Sequence, residues 1–97
     1  MTAYVLAQLT IADRERYGRY AAAFLPTLKP YAGRLLAADE AAQVLEGDWP
    51  HGKVVLIAFP DAGAARAWAD GPEYQTIAGD RRQATSGVAL LVHGLAP

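Results

Sequence analysis

The sequence predicts an α+β fold in the order β-α-β-β-α-β, with one four-stranded antiparallel sheet and its helices on one face. Three observations predict it. The run Val54–Phe59 (Val-Val-Leu-Ile-Ala-Phe) has no polar member, and it is too short and too β-branched for a helix. Two stretches at helical spacing stand on either side of it, Tyr17/Tyr20/Ala21/Phe24/Leu28 and Ala64/Ala65/Trp68. The run shows no polar alternation, so both of its faces need a cover.

Taken in order, Tyr4 to Ile11 reads as the first strand. Val5, Ala7, Leu9 and Ile11 lie on one side of it, and Tyr4, Leu6, Gln8 and Thr10 on the other. Asp13 is placed to cap a helix, because its carboxylate can accept from a first-turn N–H that has no partner. Pro26 lacks the N–H that a helix interior needs. The helix is therefore expected over about residues 13–25, with a short extra turn at 26–29 that Pro30 ends. Tyr31 to Ala38 is the second strand, entered through Gly33, with Arg34 on its Ala32/Leu36/Ala38 side. A bulge or tight turn at Ala38–Ala42 breaks it, and Gln43 to Glu46 resumes extended structure. The glycines and proline of Gly47-Asp48-Trp49-Pro50-His51-Gly52 mark a loop before the central strand, 53–59. Pro60-Asp61 stops that strand and caps a helix that buries Ala64, Ala65 and Trp68. Gly71-Pro72 ends this helix and starts another, carried to about residue 84, with Tyr74, Ile77, Ala78 and Arg81 on one face. Ser86-Gly87 reads as a turn and Val88–His93 as the last strand.

This order is the ferredoxin-like, split βαβ arrangement. Ninety-seven residues make a single domain, 1–97. The composition is 53% hydrophobic, rich for so short a chain. With the helices on one side, the other sheet face still presents Leu6, Leu36, Leu56 or Ile57, and Leu90 or Leu91, depending on register. An apolar face of that extent is covered by a partner, and a second copy of the chain packed sheet to sheet is the expected one. The net charge is -1 and no basic block is present, so nucleic-acid binding is not expected. No apolar run approaches a membrane span, and the first residues lack the pattern of a signal peptide. A soluble cytoplasmic homodimer is the expectation. The absence of cysteine excludes thiolate catalysis and disulfides.

Several landmarks occur together and in order. They are Ala3-Tyr4-Val5, Asp13 followed by Tyr17 and Tyr20, Pro30-Tyr31-Ala32-Gly33-Arg34 and Val44-Leu45-Glu46-Gly47-Asp48-Trp49-Pro50. Phe59-Pro60, Ala65-Arg66-Ala67-Trp68, and Pro72-Glu73-Tyr74 followed by Arg81-Arg82 complete the set. The chain resembles the bacterial family called domain of unknown function 1330, within the dimeric α+β barrel superfamily. Two positions depart from that family's pattern. Ala32 stands where a glycine is usual, and Gly71 where a serine is usual. The resemblance implies the fold and the homodimer. Related barrels include cofactor-free monooxygenases, lactone isomerases, polyketide cyclases and haem-degrading enzymes, so an activity carried over from them rests on fold alone.

Three groups of side chains carry possible chemistry. Glu46, Asp48 and His51 beside Trp49 offer a carboxylate, an imidazole and a stacking wall for proton transfer. The structural alternative is a solvated loop with Trp49 plugging the core. Tyr17, Tyr20 and Tyr74 could line a pocket for a planar or polyketide-like ligand, or simply pack in the core with their hydroxyls satisfied. Arg34 either pairs internally with Glu46 or binds a ligand carboxylate. Arg81 and Arg82 read as a solvated face. Only His51 and His93 are present as histidines, and no metal-ligand spacing or phosphate loop occurs, so neither a metal nor a cofactor is expected. The leading expectation is a small cofactor-independent enzyme or ligand-binding protein acting on an organic small molecule. In it Glu46, Asp48 and His51 are the proton carriers, and Tyr17, Tyr20, Arg34, Trp49 and Tyr74 the ligand contacts. The alternative is a non-catalytic dimeric module whose polar cluster stabilises an interface.

Overall fold

Strand β1 (Ala3–Ile11) runs into helix α1 (Arg14–Leu28) and a 3-10 turn at Lys29–Tyr31. Strands β2 (Arg34–Asp39) and β3 (Lys53–Phe59) follow, then α2 (Ala62–Asp70), α3 (Pro72–Ala84) and β4 (Thr85–His93). The computed structural model describes residues 1–96. The strands form one sheet in the order β2-β3-β1-β4, with every neighbouring pair antiparallel. The fold is α+β and ferredoxin-like, because β3 lies between the two strands that α1 connects.

Local chemistry sets the helix ends. The Asp13 carboxylate accepts from the Arg16 N–H at 3.0 Å, and the Asp61 carboxylate from the Ala64 N–H at 2.7 Å. Each satisfies a first-turn donor that has no partner within the helix. Gly71 closes α2 by donating to the Trp68 carbonyl at 3.2 Å and opens α3 by accepting from the Gln75 N–H at 3.0 Å. One residue thus ends one helix and begins the next.

Four local readings of the sequence are corrected. Helix α1 continues through Pro26 to Leu28. A proline so near the C-terminal end removes one hydrogen bond without stopping the helix. Tyr31 belongs to the 3-10 turn and Ala32 takes a left-handed φ of 55°, so β2 begins only at Arg34. Residues 43–46 form no strand, and the whole segment 40–52 is a loop. Ser86 and Gly87 are no turn, since β4 leaves α3 directly at Thr85.

Register decides which side chains share a face. Leu9, Ile57 and Phe59 lie under the helices and are almost fully buried. Trp68 of α2 sits on them. Its ring lies 5.4 Å from Phe59 and 4.2 Å from Tyr74, and its Nε1–H donates to Thr27 Oγ1 at 3.0 Å. On the opposite face Ala37, Leu56, Leu6 and Leu90 form one row across all four strands. Val88, Leu90 and Val92 are 49%, 48% and 41% exposed there. Ile57 and Leu91 therefore belong to the helix side, and Leu56 and Leu90 to the open side. A bulge between Leu35 and Ala37 shifts the register of β2. Arg34 consequently shares the open face with Ala37 and Asp39, while Ala38 turns to the helix side, contrary to the unbroken alternation the sequence suggested. Among the described residues no helix is long and apolar enough to cross a membrane.

Candidate functional site

Helix α1 packs chiefly against α3, while α2 carries the closer contacts with β1 and β3. The helical layer therefore stands partly off the sheet and leaves a cavity of about 570 Å³. Residues of all four strands and all three helices line it. That volume falls within the range of about 300–1,000 Å³ that small-molecule sites occupy. Exposed Leu25 and Leu35 border it between α1 and β2.

Three aromatic residues on α1 follow from spacing three and four apart. Tyr17 and Tyr20 have ring centroids 5.5 Å apart, and Tyr20 and Phe24 5.6 Å apart. Tyr74 meets them from α3, its hydroxyl 3.1 Å from that of Tyr20. Two turns further along α3, Arg81 donates its Nε–H to the Tyr74 hydroxyl oxygen at 3.0 Å. Burial, reinforced by the neighbouring Tyr74 hydroxyl, raises the Tyr20 pKa far above the ordinary phenol range. Tyr20 is thus a phenol at any physiological pH, able to donate a proton to a hydrogen bond and unfit to serve as a base.

Each phenol has one proton, and the single contact between them uses one. Arg81 supplies a further donor to Tyr74. Whichever way the shared bond runs, one phenolic proton has no acceptor among the described residues. Both tyrosines line the cavity, where a ligand's oxygen would supply the missing acceptor.

Lys53 is a further charged group of the cavity lining. It begins β3 on the helix side, in step with Val55, Ile57 and Phe59. Its ammonium lies 4.8 Å from the centroid of the Tyr17 ring and 4.0 Å from a Glu40 carboxylate oxygen. Glu40 also binds Arg14 at 2.6 Å, and that bond holds its carboxyl below the usual range.

The residues proposed from sequence separate into two places. Tyr17, Tyr20 and Tyr74 line the cavity. Glu46, Asp48, His51, Trp49 and Arg34 do not. Glu46 and Asp48 are exposed on the 40–52 loop. No ion pair joins Arg34 to Glu46 among the described residues, so the expected internal pair is absent. The Trp49 Nε1–H donates to Gln8 Oε1 at 3.2 Å, and His51 Nδ1 lies 2.9 Å from Thr10 Oγ1. Gln8 and Thr10 belong to the open side of β1, so the loop folds back onto the face away from the helices.

Sequence reasoning passed over Lys53 and set Arg81 aside as solvated. Both carried a signal. Lys53 is a charge at core parity in an apolar strand, and Arg81 follows Tyr74 by seven residues, two helical turns on one face.

No protein among curated sequences matches the chain. Solved structures resemble it in fold. A protein of unknown function from Rhodopseudomonas palustris is 17% identical with a TM-score of 0.76, the match covering 99% of this chain and 84% of that one. A dimeric ferredoxin-like protein of unknown function from Jannaschia sp. CCS1 is 19% identical with a TM-score of 0.67, covering 99% and 100%. SnoaB, a cofactor-independent oxygenase from Streptomyces nogalater, is 15% identical with a TM-score of 0.59, covering 99% and 95%. The family profile described as Domain of unknown function (DUF1330) matches residues 2–95, and the chain belongs to that family.

Proposed function

We propose that this protein binds a planar organic small molecule in the cavity between helices and sheet, and transforms it without a cofactor, in the manner of an isomerase, cyclase or monooxygenase. The cavity with its Tyr20–Tyr74–Arg81 hydrogen-bond chain carries the reading. Aromatic walls suit a flat ligand, and a buried phenol fixed as a donor suits a carbonyl or enolate oxygen on it. The fold likeness to a cofactor-independent oxygenase supports the same reading. In this proposal proton donation passes from Glu46, Asp48 and His51 to the phenol pair, because the cavity does not reach the loop residues.

The working form is a homodimer paired through the open sheet face. The apolar row of Leu6, Leu56 and Leu90 supports it, as does the fold likeness to a protein described as dimeric. The cluster of Trp49, His51, Gln8 and Thr10 belongs to that face. This favours the alternative role for the loop, a polar rim of the interface.

A thermal-shift screen of planar acids, phenols and polyketide-like compounds tests the reading. At about a hundredfold excess over Kd a ligand stabilises by about 2.7 kcal/mol, which raises Tm by roughly 10 °C or more in a chain of this size. Ala38 is an exposed residue of the cavity wall, and Ala38→Trp is chosen to place an indole in that space. The shift is expected to vanish in Ala38→Trp and persist in Glu46→Gln. No shift with any compound, or the same shift in Ala38→Trp, overturns the assignment.

A further inference from the structure

We propose that the cavity is built for an organic anion, a flat conjugated carboxylate or enolate whose charged oxygen lies against Arg81 and the Tyr20–Tyr74 hydroxyls. The inference rests on the small-molecule reading above and names its ligand class.

The charges of the lining are one-sided. Lys53 and Arg81 are half-buried, and Arg66 and Arg82 stand exposed at the rim. The one carboxylate of the lining is Asp70, and it too is exposed. Arg81 has no carboxylate within 4.0 Å among the described residues. One of its five N–H donors is spent, on a neutral phenol. A partly desolvated guanidinium with unspent donors favours a planar anion, which it can hold through two parallel hydrogen bonds. The phenolic proton left over in the Tyr20–Tyr74 pair adds a third donor in the same corner.

Apart from Asp70, exposed at the rim, the lining holds no carboxylate or imidazole to act as a base. No histidine belongs to it, and Tyr20 is held protonated. A neutral compound needing proton removal would find no carboxylate or imidazole beside Arg81 and the two phenols. A compound that arrives already ionised needs none, and the cations stabilise its charge where it enters.

The probes are 1-hydroxy-2-naphthoate and its neutral amide, compared by titration calorimetry on the intact protein at neutral pH and low salt. The acid is expected to bind about tenfold or more tightly than the amide, the scale of a charge-assisted hydrogen bond in a half-buried site. Arg81→Gln should abolish most of that preference while amide binding stays within about twofold, and Arg81→Lys should restore part of it. If Arg81→Gln does not fold, Lys53→Gln and a salt titration of the unmodified protein replace it. Added salt should then weaken the acid and leave the amide unchanged. Equal binding of acid and amide overturns the inference, as does a preference that survives both substitutions. Should neither probe bind while neutral compounds from the thermal screen do, the anion class fails and the small-molecule reading stands. Silence from every compound is the failure of that reading itself.

Discussion

The hydroxyls of Tyr20 and Tyr74 lie 3.1 Å apart although 54 residues separate them in the chain. This bond joins α1 to α3 across the inner surface of the helical layer, above a cavity and not above packed sheet. Tyr74 makes two polar contacts and Tyr20 one. Tyr74→Phe should therefore destabilise more than Tyr20→Phe, by about 1–3 kcal/mol against about 0.5–1.5, because it also strips Arg81 of its acceptor. The double variant should fall short of the sum by about 0.5–1.5 kcal/mol, the interaction the two single changes count twice. Denaturant unfolding of the four proteins measures this, and strict additivity would mean the bond contributes nothing.

The same residue predicts an alkaline limit. Tyr20 has a raised pKa, caused first by burial and then by Tyr74. A raised folded pKa means that above the unfolded value, about 10, the unfolded chain releases a proton the native state retains. Stability from this group is complete below about pH 10 and declines as pH rises beyond it. Tyr20→Phe removes that term. The expected outcome is a shallower fall of unfolding free energy between about pH 9 and about pH 11 in the variant than in the native protein. Parallel curves would show that Tyr20 ionises freely.

Two glycines with positive φ should respond unequally to alanine. At Gly87, φ is 141° and an added Cβ would lie 1.9 Å from the Gln8 carbonyl oxygen, a backbone atom of the neighbouring strand. At Gly47, φ is 87° and no atom lies within 4 Å of the added carbon. Gly87→Ala must open the β1–β4 pairing and should cost about 3 kcal/mol or more, whereas Gly47→Ala should cost about 1–2 kcal/mol of backbone strain alone. Equal Tm losses for the two would contradict the strand assignment of Ser86–Gly87.

Gly71 stands where the family's pattern has serine, and its surroundings give a reason. A Cβ there would lie 2.4 Å from the Tyr31 hydroxyl and 2.8 Å from the Ala67 carbonyl oxygen. That hydroxyl donates to the Glu73 carboxylate and lowers the Glu73 pKa. Gly71→Ser should destabilise by about 1–3 kcal/mol through overpacking. Adding Tyr31→Phe should recover part of the loss, because the nearer obstacle is a side chain. The carbonyl remains, so recovery should be incomplete. A Gly71→Ser protein that melts at the native temperature would refute the steric account.

The residues also explain what was legible in advance. Period-two spacing marks β1, the unbroken β-branched apolar run marks β3, and period-3.6 spacing marks α2, α3 and the tyrosine stripe, because burial leaves its record in each pattern. The bulge at Leu36 leaves no such record. It depends on pairing with β3, and the one-residue slip moved Arg34 to the opposite side from Ala38. Val44 and Leu45 resemble strand residues, yet no strand pairs with them and Leu45 is 95% exposed. Glu46, Asp48 and His51 are neighbours in sequence, whereas the loop sets His51 and Trp49 against the sheet's open side and leaves Glu46 and Asp48 exposed. The cavity was legible only through its tyrosines. Its cations, Lys53 and Arg81, carry a signal of parity and spacing in the sequence, but that they face a cavity follows only from the helices standing off the sheet.

The open face supplies the last prediction. Val92 is 41% exposed and lines a shallow apolar groove of about 210 Å³ with Tyr4, Leu6 and Leu56. In a single chain an aspartate there keeps much of its hydration and should disturb folding little. In a pair of sheets packed face to face, the same carboxylate is buried against apolar side chains with no partner, which costs several kcal/mol. Leu25 is 59% exposed on α1, on the helical side, so Leu25→Asp serves as the matched control. By sedimentation the native chain and Leu25→Asp should run at about twice the chain mass of 10.3 kDa. Val92→Asp should run as a monomer at micromolar concentration, a loss of about a hundredfold or more in association, corresponding to about 2.7 kcal/mol. Its helical circular dichroism should be retained. A dimer that tolerates Val92→Asp and is broken by Leu25→Asp would mean the chains pair through their helices. The apolar row of Leu6, Leu56 and Leu90 would then need another cover.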